Sequence, residues 1–281
     1  MSTKQTTTQS PAGRCQLCVV PTSPALVAEL SPADAASSEI RDQVRQLLRE
    51  RIETTQPDAY PVNEIVLVGS QAEGWRTEHR GSLRAWGATD VQLADGYYLA
   101  EIVLRYLCAD FESLITASYA SLDELHSHPV QPGTLVLLGI DGSAGLGPRA
   151  PLAELPDAPQ ADRWARWLLG ACTELADAAA KPDYQLPGEQ LPGEEGSKHA
   201  QPLLPAQPSH QQLHDAGIWE PELWLELAEL NARGALTDMD LLHADTSHGV
   251  ARYIATGNMA LDSATSTEAD VMKSVSERKK L

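Results

Sequence analysis

The chain has 281 residues and a formal net charge of -18, with 39 acidic against 21 basic side chains. So acidic a balance argues against a nucleic acid or an anionic membrane as partner, since both bind basic faces. The chain is long enough to bury a full core, has no apolar stretch that would span a bilayer, and carries only four cysteines, too few for a disulfide framework. The opening residues MSTKQTTTQSPAGR lack the apolar core of a secretory signal, so a cytoplasmic protein is expected.

Residues 1–14 are polar and low in complexity and are expected to be disordered. Cys15 to Pro21 (CQLCVVP) reads as a first buried strand. Its CxxC pair, Cys15 and Cys18, has no second pair to complete a zinc site and sits within a strand, so both are read as buried structural thiols. Ser31 followed by Pro32 offers a helix start, and Ile40, Val44, Leu47, Leu48 and Ile52 then recur at helical spacing. Asn63 to Gly69 (NEIVLVG) is a second strand. It runs into a long aperiodic loop containing Trp75 and Trp86, of the kind that usually carries function. Tyr97 to Ala109 is helical in spacing, and Glu112 to Ala117 reads as a strand.

The stretch Thr134 to Pro151, TLVLLGIDGSAGLGPRAP, stands at the centre of the reading. Its apolar run is too short for a typical helix and too uniform for a half-solvated strand, so it is a buried strand of an α/β sheet. It ends on Asp141 in a loop rich in Gly and Pro, and α/β folds bind their ligands at such carboxyl ends. Asp162 to Ala180 is a helix. Residues 183–214 hold the near-repeat QLPGEQLPGEE and read as a mobile proline-rich insertion. Trp219 to Asn231 is a helix, Gly249 to Gly257 the last strand, and residues 260–281 a polar tail expected to be disordered. Alternating strands and helices give a single α/β domain over residues 15–259.

Familiar catalytic motifs are absent. Asp141-Gly142-Ser143-Ala144-Gly145 lacks the first glycine of a nucleophile elbow. Gly142, Gly145 and Gly147 are spaced GxxGxG and lead into prolines instead of opening a helix, and no phosphate-binding P-loop occurs. Of the eight histidines, His199, His210 and His214 fall in the insertion. His126 and His128 precede a strand, which places them at its amino end. His79, beside Glu78 in the long loop, and His243 and His248, flanking Asp245, are the ones suited to polar chemistry.

Four segments in order, CVVPTSPALVAEL, IVLVG with RGSLRAWG, LVLLGIDGSAGLGPRAP and LLHADTSHGVARYIATG, resemble an actinobacterial group related to the class III extradiol ring-cleavage dioxygenases. The resemblance implies an α/β fold with a central mixed sheet flanked by helices, and a pocket at the strand ends. In catalytic members it implies non-haem Fe(II) held by two histidines and a carboxylate, with a further acid/base histidine. At the three turns where those histidines are expected, this chain has Pro21-Thr22-Ser23-Pro24, Ser70-Gln71-Ala72-Glu73 and Asp141-Gly142-Ser143-Ala144-Gly145.

The function this implies is a non-catalytic small-molecule or partner-binding protein of dioxygenase-like fold. The alternative is an active metal-dependent oxygenase or a hydrolase with a relocated site. For that alternative the candidate catalytic residues are Asp141, Ser143, His79 and His248, and the candidate metal ligands are His79, His248 and Asp245. Fe(II) belongs to it alone. A third reading is an interaction protein using the acidic surface and the insertion. Pro21, Gln71, Asp141 and Ser143 are expected to converge on one pocket, with Arg149 positioned to meet an anionic ligand.

Overall fold

The computed structural model describes residues 14–54, 61–128, 130–131, 133–171 and 206–260. Uniformly apolar runs build the middle of the sheet: β1 (Arg14–Val20), β2 (Glu64–Gly69) and β4 (Thr134–Gly139) bury side chains on both faces. With β3 (Ile115–Tyr119), β5 (Leu236–Asp245) and β6 (Arg252–Ala260) they form one six-stranded sheet in the order β3-β2-β4-β1-β6-β5. The first four of these neighbours run parallel, whereas β6 is antiparallel to β1 and β5 antiparallel to β6. The sheet is therefore mixed, and the domain is a single α/β unit.

Alternation along each strand sorts its residues into two cores. Leu17, Val66, Val136 and Tyr253 face one, and Val20, Leu67, Leu137 and Ile254 the other. Helices α1 (Ala35–Ile52) and α2 (Leu99–Leu107) cover the second face. The first is covered by α3 (Leu122–His126), α4 (Ala158–Leu168), α5 (His210–Asp215) and α6 (Pro221–Ala232). The CxxC pair obeys the same rule: three residues apart on a strand, Cys15 and Cys18 point to opposite faces. Both are free buried thiols, and burial pushes each up to about 12. They can neither join each other nor share a metal.

Several boundaries differ from expectation. The N-cap of α1 is Asp34, whose Oδ1 accepts from Ser37 N at 3.1 Å, and not Ser31, which instead opens a turn closed by Asp34 N. The third strand begins later than Glu112 because Ala109–Leu114 is wound as 3-10 helix. Helix α4 starts at Ala158 and ends at Leu168, while residues 172–180 of the longer expected helix lie outside the described residues. Of the expected insertion, residues 183–205 lie outside them too. Its far end is α5, begun by a capping box between Ser209 and Gln212. Arg14 pairs with Ala260, so the sheet reaches one residue further each way than residues 15–259. The remaining expected tails, residues 1–13 and 261–281, are outside the described residues.

The largest departure is β5. Asp238, Asp240 and Asp245 disfavour a strand by propensity. The backbone is nonetheless held by pairing with β6, and Leu236, Met239, Leu241 and Ala244 pack onto the first core. Register shifts between Thr237 and Asp240, where Asp238 takes φ 56°, break the alternation that would have announced it.

Where β4 ends, the backbone packs without room for a side chain. A Cβ on Gly142 would lie 2.6 Å from Ala251 Cβ and 2.8 Å from the Tyr253 hydroxyl. Gly142→Ala is therefore expected to destabilise the domain by about 1–3 kcal/mol, read from the urea midpoint. An unchanged midpoint would show that the β4 and β6 ends can separate.

Candidate functional site

Three parallel strands end side by side. Val20 of β1 and Gly69 of β2 both pair with Gly139 of β4, so Pro21, Ser70 and Ile140 leave the sheet in one row. The chain then turns to α1 after β1 and to α2 after β2 on one face, but to α4 after β4 on the other. Loops that part in this way open a crevice at the strand ends, the usual ligand position of an open α/β sheet. Gly139 permits the close approach, because a Cβ there would stand 2.4 Å from Thr22 Cγ2.

Asp141 sits in this crevice. Its Oδ2 accepts from Thr22 N at 3.1 Å and from Thr22 Oγ1 at 2.7 Å, and its backbone carbonyl accepts from Trp224 Nε1 at 2.9 Å. Although the residue as a whole is half-buried, Oδ1 is shut off from solvent and has no hydrogen-bond partner among the described residues. Burial raises its pKa; the Thr22 bonds and the buried Arg252 guanidinium act in the other direction.

A second carboxyl lies near enough to feel its charge. Glu220 occupies the N-cap position of α6 but does not cap the helix. Burial raises its pKa, and the neighbouring Asp141 and Glu222 charges add to that rise. Ser70, in the loop after β2, lies close enough to hold its pKa down in part. At the rim, the indoles of Trp75 and Trp219 meet edge to face with centroids 6.5 Å apart, and remain 40% and 60% exposed. This edge thus offers two desolvated acids, with the Asp141 charge disfavouring that of Glu220, the hydroxyls of Thr22 and Ser70, and an exposed indole pair.

Pro21, Gln71 and Asp141 lie at the same sheet edge, on neighbouring strands. Ser143 is below it, not in it. It is fully buried, its Oγ donates to Ala216 O at 2.5 Å and accepts from Gly145 N at 3.0 Å, and so it pins the loop to the residues before α6. Arg149 is exposed further along that loop. His79 is exposed in the β2–α2 loop. His248 is exposed between β5 and β6, with Nε2 3.0 Å from Asp34 Oδ1 at the start of α1. Asp245 accepts from Arg252 Nε at 3.0 Å. His126 and His128 are turned back on their own helix, to Leu122 O and Glu124 O. Among the described residues no three His, Cys, Asp or Glu side chains gather as a metal ion would need. At the turns where the resemblance would place imidazole stand a proline, a threonine, a serine and a glutamine, and these residues do not fit Fe(II) held by two histidines.

Trp75 lies in the long loop expected to carry function, whereas Glu220 and Trp219 were expected only as part of a helix. A signal for them existed: Glu220-Pro221 marks a helix start, and a helix leading into a strand parallel to β1 must begin at the carboxyl edge. Recognising this required β5 to be seen as a strand.

The raised acids give a pH signature. A carboxyl with an elevated native pKa favours the folded state fully below its unfolded value, about 4. That contribution is lost as pH rises through the native value. Relative to the native chain, E220Q is expected to gain stability steadily between about pH 4 and 7, measured as the difference in urea midpoint. A difference that stays flat over this range would show that Glu220 is not held in a desolvated, acidic setting.

The chain matches no protein-family model, and no curated protein matches it.

Proposed function

We propose that the chain is a non-catalytic small-molecule-binding protein, built on a fold like that of the class III extradiol dioxygenases, with its ligand in the crevice above β1, β2 and β4. One observation carries the reading: Glu220 is desolvated and feels the charge of the buried Asp141 at the carboxyl edge of the sheet, and the residue before it, Trp219, meets Trp75 in an exposed indole pair. A buried acid with an oxygen left unsatisfied, as in Asp141, favours a ligand that brings hydrogen-bond donors or a positive charge. Exposed indole faces favour the same kind of ligand through cation–π attraction. An anionic ligand at Arg149 fits less well, because that side chain is exposed on the outer loop while the crevice itself is acidic.

The proposal is tested by titrating the tryptophan fluorescence with benzylamine, choline and benzoate. The amines are expected to bind, with affinity reduced at least tenfold in E220Q and in Trp219→Ala, while benzoate leaves the spectrum unchanged. Tighter binding of benzoate would overturn the reading. So would O₂ uptake with a catechol after anaerobic loading with Fe(II), if that uptake fell in E220Q.

A further inference from the structure

Outside the crevice, one groove has no occupant among the described residues. It has a volume of about 870 Å³ and runs along α1 from Pro32 to Glu50, with Leu242 of β5 as its opposite wall. On this face of the sheet α1 and α2 are the covering helices, and β5 lies beyond them at the sheet edge. Leu242 is left 49% exposed in consequence. Glu39, Asp42 and Glu50 line the groove on the α1 side. Glu39 and Glu50 are met by the amides of Gln43 and Gln46, at 3.1 Å and 2.7 Å, and among the described residues by no cation. The groove is an apolar strip with an acidic wall.

We infer that residues 271–281 of this chain dock in that groove. Their sequence, VMKSVSERKKL, carries Lys273, Arg278, Lys279 and Lys280 against the single acid Glu277, in a chain that is otherwise strongly acidic. Val271, Met272 and Val275 fall on one face at helical spacing, an apolar stripe to set against Leu242. The chain leaves the fold in the right place. Helix α1 follows β1 and returns toward the amino end of the sheet, so Glu50 lies near the edge where Arg14 pairs with Ala260, the last residue of β6. Ala260 is tied there by its N–H to Ala235 O at 2.8 Å, beside the start of β5. Residues 261–270 then supply a link that reaches roughly 33 Å when extended. Glu39 to Glu50 covers only about 17 Å of helix. The occupant is thus a segment of the same chain, matched to the groove in charge, apolar spacing and reach.

Zero-length carbodiimide cross-linking of the full chain, read by mass spectrometry, tests this. Cross-links from Lys279 or Lys280 to Glu39, Asp42 or Glu50 are expected within the monomer. They should fall at least fivefold in 0.5 M salt and in Leu242→Asp, a surface change whose fold is checked by circular dichroism. A synthetic peptide of residues 271–281 should suppress them by competition. In a mixture of light and ¹⁵N-labelled chains, cross-links found only between copies would overturn the inference and assign the groove to a second molecule. Cross-links spread evenly over the acidic surface, insensitive to Leu242→Asp, would overturn it outright. Neither result bears on ligand binding in the crevice.

Discussion

The structure depends on how one carboxyl group is held. Asp141 ends the central run of β4, and its side chain fastens the turn after β1 through both the amide and the hydroxyl of Thr22. Its carbonyl meanwhile holds Trp224 of α6. The next residue, Gly142, donates its N–H to Ala251 O at the start of β6. Elements from both faces of the sheet are thus tied within two residues. Taking a carboxyl group out of water is costly unless its oxygens find donors. Here Oδ2 finds two and Oδ1 none among the described residues, so the fold holds an acid whose charge it only partly accommodates.

That arrangement sets the chemistry of the carboxyl edge. Its polar groups are carboxyl and hydroxyl groups, from Asp141, Glu220, Thr22 and Ser70. The same edge of the sheet carries a second polar network, in which Arg252 joins Asp245 to Ser37 while Asp34 takes both Ser37 and His248. Burial pushes Asp34 upward, but the Ser37 and His248 contacts outweigh it and hold the group well below the usual carboxylate range. His248 and Asp245 are absorbed in securing α1 and the β5–β6 hairpin. An α/β architecture with a crevice at its switch point is compatible with many chemistries, and the side chains present decide among them.

Legibility followed the strength of the local signal. β1, β2 and β4 could be read because strands buried on both faces have no choice but to be apolar throughout. Helix α1 could be read from its repeating Ile, Val and Leu, though its start could not: Ser31 and Asp34 are both good caps, and Pro32 suits either a turn or a first helical turn. Asp141 was legible as the end of an apolar run. Ser143 beside it looked equally functional, yet it is a buried pin for Ala216, because a serine in a Gly-rich loop reads the same whether its hydroxyl faces a ligand or a backbone carbonyl. β5 was illegible because its aspartates and its bulges mask the alternation, and its stability as a strand comes from β6.

By itself the sequence determined the α/β class, the central buried strands, the placement of the thiols on a strand and the acidic character of the surface. These follow from composition and short-range periodicity, which act over a few residues. Tertiary structure alone decided which polar groups meet. Thr22 and Asp141 are 119 residues apart, and His248 and Asp34 are 214 apart. No local pattern encodes such pairs, since they arise only when sheet order brings β1 beside β4 and α6 returns to the carboxyl edge. The candidate histidines were thereby dispersed, and Glu220 came to lie near Asp141 at the carboxyl edge, a meeting no sequence motif had marked.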